Sequence, residues 1–219
     1  MDKVPKNSGI KLGAIAMVIN LLASSSCGTT KSMHSPSKSP AKLYDGMLGD
    51  RDGNKYPIKV LLDSSLWMTV NLNLNIPNSY CYESTIENCE KYGRLYDWAS
   101  AKEGCSLLGE GWRLPSDAAW LQLLRLYGGV MEDSNSIAYK ALRSPGTSGF
   151  NALLGGNREP GGAYSRKEAH GFYWTATEND STAAWYYNFG KGSLALYQQD
   201  GGEKKGGFSV RCVNSIKRK

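Results

Sequence analysis

Gly111-Trp112-Arg113-Leu114-Pro115-Ser116-Asp117-Ala118-Ala119-Trp120-Leu121-Gln122-Leu123-Leu124 decides how this chain folds. Pro115 has no backbone N–H to donate and biases Leu114 toward extended geometry. Ser116 suits the N-cap of a helix, where its hydroxyl can take a free backbone N–H. Trp120, Leu123, Leu124 and Tyr127 then fall at i, i+3, i+4 and i+7, one apolar helix face. Gly128-Gly129 closes the helix, because glycine accepts the left-handed geometry common past a helix end.

Upstream of this stretch, Leu95 to Cys105 reads as another helix, with Leu95, Trp98, Ala101 or Lys102, and Cys105 near one face. At the far end, Phe208, Val210 and Cys212 share one face of a strand, with Ser209, Arg211 and Val213 on the other. Cys105 and Cys212 therefore both point inward, which favours a disulfide between them. The chain has five cysteines, Cys27, Cys81, Cys89, Cys105 and Cys212. Setting Cys27 aside leaves an even number with three possible connectivities. A Cys81–Cys89 bond would close a short local loop.

The first residues are not fold. Lys3, Lys6 and Lys11 precede a short apolar run from Leu12 to Ala23, then small Ser24-Ser25-Ser26 and Cys27: residues 1–26 have the form of a secretory signal peptide. Cys27 after small residues resembles a bacterial lipoprotein box, although Ser24 stands where Leu is usual. That resemblance implies cleavage before Cys27 and a diacylglyceryl group on its thiol. The other reading is plain secretion with an incidental cysteine. Residues 27–42, rich in Ser, Lys, Pro and Thr, cannot bury enough apolar surface to fold and read as a disordered tether.

Removal of residues 1–26 takes away three Lys and one Asp, so the formal charge falls from +6 to +4. Lys217, Arg218 and Lys219 sit in a basic tail, residues 215–219, so the body is only mildly basic and carries no nucleic-acid footprint. No CxxC pair occurs, and His34 and His170 are far apart, which argues against zinc.

The domain starts near Leu43 and runs to residue 214. Asp50 to Asn54 is a turn by its chemistry. Tyr56, Ile58, Val60 and Leu62 suggest a strand that Pro57 would place at a sheet edge or at its own start. Trp67 to Leu72 is a second extended piece, and Asn73 to Gly93 is polar and irregular. After Gly129 a long glycine-rich loop region follows, the place for a binding surface on a rigid scaffold. Tyr173 to Thr177, then Trp185 to Phe189, turning through Gly190-Lys191-Gly192-Ser193 into Leu194 to Tyr197, read as closing strands. Alternation makes Trp174, Trp185 and Tyr187 core and leaves Tyr186 and Tyr197 as the better exposed aromatics.

Asp52-Gly53-Asn54-x-Tyr56, Trp67-Met68-x-x-Asn71-Leu72, Tyr92-Gly93-x-Leu95-Tyr96-x-Trp98, Gly111-Trp112-x-Leu114-Pro115-Ser116, Gly149-Phe150-x-Ala152, Gly156-x-Arg158, Tyr173-Trp174-x-x-Thr177-Glu178 and Ser209-Val210-Arg211-Cys212 resemble the "Fibrobacter succinogenes major paralogous" domain, over roughly residues 43 to 214. The resemblance implies exported bacterial proteins, commonly lipoproteins. It also implies an α+β, C-type-lectin-like fold with two helices, short antiparallel strands and a long glycine-rich loop region, akin to the formylglycine-generating enzymes. The chain departs from the family in carrying Arg113 where a His is usual, and Leu62 to Leu66 where a Gly precedes the Trp67 strand.

For chemistry, Glu159-Pro160 with Glu178, Asn179 and Asp180 invites comparison with the calcium-dependent lectins, since side-chain oxygens are right for Ca²⁺. Gly161 lacks such an oxygen, and Glu178 to Ser181 also reads as a polar turn. Tyr186 and Tyr197 suit stacking on sugar rings. Ser165, His170 and Glu178 could be drawn as a triad, but no nucleophile-elbow motif supports one. A formylglycine-type oxidase needs reactive thiols, and all four domain cysteines have a disulfide role. Gly149, Phe150, Gly156, Arg158 and Arg211 read as structural, the arginines pairing with a buried carboxylate or with carbonyls. The expectation is a non-catalytic, lipid-anchored domain of the cell envelope, on the outer membrane or cell surface. It would bind a glycan or a protein partner through the loops between Ala138 and Asp180, need no cofactor beyond a possible Ca²⁺, and touch no nucleic acid. The alternatives are a structural or assembly role in an envelope complex and an enzyme of formylglycine-generating type.

Overall fold

The computed structural model describes residues 45–129 and 136–215. Residues 1–26, Cys27, the 27–42 tether and all of the basic tail except Ser215 lie outside the described residues. In chain order the elements are β1 (Asp45–Gly49), β2 (Lys55–Val60), β3 (Ser65–Met68), β4 (Ser79–Tyr80), a 3-10 turn (Tyr82–Ser84), α1 (Ile86–Tyr92), β5 (Leu95–Tyr96), α2 (Trp98–Ser106), α3 (Asp117–Leu126), α4 (Ile137–Leu142), β6 (Asn157–Arg158), β7 (Tyr164–Ser165), β8 (His170–Glu178), β9 (Ala183–Gly190), β10 (Ala195–Glu203) and β11 (Val213–Ser215). Their strands form antiparallel sheets in the orders β1-β2-β3-β11, β10-β9-β8, β4-β5 and β6-β7. The fold is thus α+β, with four helices among the described residues rather than two.

The stretch from Gly111 to Leu124 folds as its sequence dictates. Gly111 sits at φ +80°, and a Cβ there would meet Asn214 Oδ1 at 2.6 Å, so both backbone and space require glycine. Arg113 exchanges backbone hydrogen bonds with Val213, at 3.0 and 2.9 Å. Ser116 Oγ accepts the Ala119 N–H at 3.2 Å, capping α3. Trp120, Leu123 and Leu124 are fully buried, and Gly128, at φ +117°, follows the helix end. Asp117 ties this N-terminus to the closing sheet: its N–H donates to Thr177 Oγ1, and its Oδ1 accepts from the Tyr187 hydroxyl and Gln198 Nε2, both at 2.8 Å.

The apolar interior has two halves separated by a layer of extended chain. Met68, Trp174, Phe208, Val210 and Cys212 face one cluster with Trp98, Ala101 and Cys105 of α2. Trp67, Tyr173 and Val213 face the other, with Trp120, Leu123 and Leu124 of α3 and with Phe150. The last segment is buried on both faces, because its alternate side chains serve different clusters. Its backbone binds every neighbour: Phe208 exchanges hydrogen bonds with Tyr96, Ser209 accepts from Trp174, Val210 from Leu72 and Cys212 from Met68. Within the second cluster the Trp120 ring lies 5.4 Å from Trp67, 5.5 Å from Phe150 and 5.1 Å from Tyr187, centroid to centroid. Such ring pairs add about 0.5–1.5 kcal/mol each beyond burial.

The two disulfides join Cys81 to Cys89 and Cys105 to Cys212, one of the three connectivities open to four cysteines. Four expectations need correction. The second helix begins at Trp98, not Leu95. Leu95–Tyr96 instead pairs with β4, and Asp97 Oδ1 accepts the Ser100 N–H at 2.8 Å as the cap. β2 is an inner strand with Pro57 as its third residue. The β2–β3 ladder starts only at Ile58, while the Pro57 carbonyl accepts the Thr69 N–H at 2.9 Å, so the missing N–H falls just outside that ladder. Trp185 is half-buried rather than core, because register shifts on both sides of β9 interrupt the alternation there. The segments expected to be irregular contain α1, α4, β4, β6 and β7.

Asp50 organises the first turn. Its carboxylate accepts from the backbone of Asp52 and Asn54 at 2.9 and 3.0 Å, from Asn54 Nδ2 at 2.8 Å, and from the Tyr56 hydroxyl. Burial pushes its pKa up, but these hydrogen bonds, Tyr56 first, outweigh burial and hold it below the ordinary 3.8. A lowered native pKa means stability present at neutral pH and lost as the pH falls through the native value. Asp50→Ala is expected to cost about 1–3 kcal/mol at pH 7. Urea unfolding at neutral pH and near pH 3 checks this: the difference from wild type should shrink on the acid side.

Candidate functional site

β8, β9 and β10 bury one face on the second cluster, through Tyr173, Tyr187 and Phe189, and part of the other on the first, through Phe172, Trp174 and Ala184, which leaves the rest of that face open. Register brings Phe172 opposite Asn188 and, across the next strand, Asn188 opposite Tyr197 and Tyr186 opposite Gln199. These side chains, with Arg166 and His170, line a depression of about 320 Å³. A second depression of about 210 Å³ shares Arg166, Phe172 and Tyr186 and continues to Glu159, Arg158 and the glycines at 201, 202 and 206. Together they make a groove whose floor is Phe172 and Tyr186.

Each wall is held by its own hydrogen bonds. His170 Nδ1 lies 3.0 Å from Asn188 Oδ1, and the Tyr186 hydroxyl donates to Gln199 Oε1. The β6–β7 hairpin supplies the charged wall. There Glu159 Oε1 accepts from Asn157 Nδ2 at 2.7 Å and from Ser165 Oγ and Arg166 Nη1, both at 3.1 Å. These donors, led by Asn157, hold the Glu159 carboxyl below its ordinary pKa against the opposing effect of burial. Burial pushes the Tyr186 phenol up, so it stays protonated and able to donate. The Arg166 guanidinium stands 5.8 Å from the Phe172 ring, and Tyr186 packs 4.9 Å from Phe208. The groove therefore combines aromatic faces, the carboxamides of Asn157, Asn188 and Gln199, an imidazole and a guanidinium–carboxylate pair.

Of the residues expected to bind, Glu159, Tyr186 and Tyr197 line this groove. Glu178, Asn179 and Asp180 line neither depression. Glu178 Oε1 accepts from Lys204 Nζ at 2.9 Å. Asp180 Oδ1 accepts from the N–H and hydroxyl of Thr182 at 2.7 and 2.9 Å and from the Ala183 N–H at 2.8 Å. They form the capped β8–β9 turn, with Glu159 and Glu178 committed to different cations. No group of three or more potential metal ligands occurs among the described residues. Ser165, His170 and Glu178 bond to Asn157 and Glu159, to Asn188, and to Lys204 respectively, not to one another. All four domain cysteines are disulfide-bonded. Among the described residues Arg158 makes no ion pair: its guanidinium lies over the Tyr80 ring at 4.0 Å, and its backbone pairs with Gly207.

Arg211 meets carbonyls, as its buried place demands. It is fully buried, with Nε on Asn71 Oδ1 at 2.6 Å, Nη1 on the carbonyls of Met68 and Phe150 at 3.1 and 2.6 Å, and Nη2 on that of Asn151 at 2.7 Å. Burial lowers its pKa to about 10, still cationic at neutral pH. Arg166, His170, Asn188 and Gln199 are among the groove residues that the binding expectation missed. The only trace of them in the sequence is a polar residue alternating with β-prone ones, as Asn188 does beside Phe189.

Fold and groove define a two-disulfide α+β domain with an open polar–aromatic sheet face. The family model for the Fibrobacter succinogenes major domain matches residues 51–214, and the chain belongs to that family. No curated protein and no solved structure matches it.

Proposed function

We propose that the domain is a non-catalytic recognition module that binds a glycan in the groove over β8–β10. The arrangement that carries this reading is Tyr186, Tyr197 and Gln199 beside the Glu159–Arg166 pair, with the buried Asn188 carboxamide beneath them. Sugar rings offer C–H faces to aromatic rings and hydroxyls that both give and take hydrogen bonds. Carboxamides match them in both senses, while guanidinium only donates and carboxylate only accepts. An aromatic floor with a few fixed polar groups is also the common make-up of small-ligand sites. The proposal includes the C-type-lectin-like arrangement of helices around Leu114-Pro115-Ser116. It also includes display from the cell envelope by a lipid on Cys27, on the outer membrane or cell surface. No helix among the described residues is long and apolar enough to cross a membrane.

A glycan array run with and without EDTA tests it. Binding that survives EDTA is expected, because the groove needs no metal ion to orient a sugar; silence against every glycan would sink the reading. Against a glycan found this way, Tyr197→Ala and Arg166→Ala should each weaken affinity at least about tenfold, or about 1.4 kcal/mol. Their melting temperatures should stay near wild type, since neither side chain belongs to the core clusters.

A role in envelope assembly is favoured by a different observation. Leu62, Leu126 and Ile137 stay 59, 49 and 50 % exposed, and the Gly128 position, two residues beyond Leu126, packs against Ile137. Co-purification of a stable envelope protein, lost on Leu126→Glu, would support that reading over the glycan.

A further inference from the structure

The segment between Cys81 and Cys89 lines neither depression of the groove, yet a cation is built against its disulfide. Arg94 Nη1 lies 3.6 Å from Cys81 Sγ and 3.7 Å from Cys89 Sγ. The guanidinium is fixed there, with Nε donating to Ser79 Oγ at 2.9 Å and Nη2 to the Ser79 carbonyl at 3.1 Å. A disulfide sulfur is a weak acceptor, so the contact returns little while the bond is closed. A thiolate in the same place would take a charge-assisted hydrogen bond. The two cysteines differ in access, since Cys81 is half-buried and Cys89 is 1 % exposed. The loop they close holds Glu83 and Ser84 at φ 53° and 56°, a left-handed pair without glycine, which any Cβ disfavours. Cys105 and Cys212, by contrast, are fully buried within the first apolar cluster.

We propose that Cys81–Cys89 is a thiol-exchange site, opened by an external dithiol while Cys105–Cys212 stays closed. The incoming thiolate attacks the accessible Cys81 Sγ. The Cys81–Cys89 bond breaks, and Cys89 leaves with the electron pair as a thiolate facing Arg94. The second thiol of the reagent then attacks the reagent's own sulfur in the mixed disulfide. This forms the reagent's internal disulfide and releases Cys81 as a thiolate, again beside Arg94. The dithiol loses two electrons and two protons, and the protein pair gains both.

The test is native reduction of the purified full-length protein with graded dithiothreitol, quenched by alkylation and read cysteine by cysteine in a mass spectrometer. Cys81 and Cys89 should open together, at least about tenfold faster than Cys105 and Cys212, as accessibility and leaving-group stabilisation require. In the reduced pair, the alkylation midpoint of Cys81 should lie at least about one pH unit below the roughly 8.5 of a free cysteine. Arg94→Gln should slow opening and return the midpoint to the ordinary value, and Arg94→Lys should keep it low. The midpoint is the decisive readout, because a merely structural role for Arg94 would not move it. Equal opening rates for the two disulfides, or a midpoint that is ordinary in wild type or unchanged by Arg94→Gln, would overturn the proposal.

Discussion

Arg211→Met is expected to destabilise the domain by about 3–5 kcal/mol, measured by urea unfolding. The side chain is fully buried and meets no carboxylate among its hydrogen-bond partners. Its charge is dispersed over the carbonyls of Met68, Phe150 and Asn151 and over Asn71 Oδ1, and its guanidinium lies 4.7 Å from the Phe150 ring. Gly149 and Asn151, at φ 77° and 57°, flank Phe150 in the turn that presents two of those carbonyls inward. Methionine fills much of the space but leaves four acceptors without this donor, three of them buried and the Asn151 carbonyl part-buried, each buried one worth about 1–3 kcal/mol when stranded. The loss should fall short of their sum, because the turn can relax toward water. Arg211→Lys should fail to rescue it, since a compact ammonium cannot reach acceptors spread along a planar fork. A loss below about 1 kcal/mol for Arg211→Met would show that the turn and β3 hold together without the guanidinium.

The second large effect concerns the Cys105–Cys212 bond. It spans 107 residues, whereas Cys81–Cys89 spans 8. In the chain-entropy account, closing loops of these lengths stabilises by about 4.8 and about 2.5 kcal/mol respectively. Removing the long bridge by paired Cys→Ala substitution should therefore cost roughly twice as much as removing the short one. The gap widens because Cys105 and Cys212 sit at the centre of the first cluster, where truncation also leaves a cavity. Thermal unfolding of the two double variants decides this, and equal shifts would contradict it. The bridge joins α2 to the extended segment that divides the two clusters, so its loss should loosen both sides at once.

The stretch from Gly111 to Leu124 was legible because each of its signals is local. Ser116 caps, Trp120, Leu123 and Leu124 follow helical spacing, and Gly128 stops the helix. Both cysteine pairs were legible for the same reason, one from the inward faces of two periodic segments and one from short spacing. α1 and α4 escaped because they have seven and six residues and no side-chain cap bond, too short for periodicity to speak. Leu95 matched the helical face by coincidence of spacing, although Asp97 before Trp98 was a usable start signal. Pro57 misled because the edge-strand rule concerns a donor that a ladder needs: Pro57 pairs with Met47 in the β1–β2 ladder, but its carbonyl takes the Thr69 N–H on the β3 side, before the β2–β3 ladder begins at Ile58.

Local signals also explain the candidate site. Tyr186 and Tyr197 were readable from alternation. Their partners Gln199, Asn188 and Arg166 depend on cross-strand register and on the placement of the β6–β7 hairpin, which no single segment encodes. Glu178 to Asp180 drew attention by lying close to Trp174 in sequence, yet their oxygens cap a turn and hold Lys204 instead of meeting Glu159.

The recognition claim is tested most directly by a ¹⁵N–¹H NMR titration of the labelled domain with a glycan selected on the array. The groove predicts shifts concentrated on the backbone amides of Arg166, Tyr186, Asn188, Tyr197 and Gln199 and on the side-chain N–H groups of Arg166, Asn188 and Gln199, unchanged by EDTA. Shifts confined to Glu178, Asn179 and Asp180, or no shift on any groove residue, would contradict it.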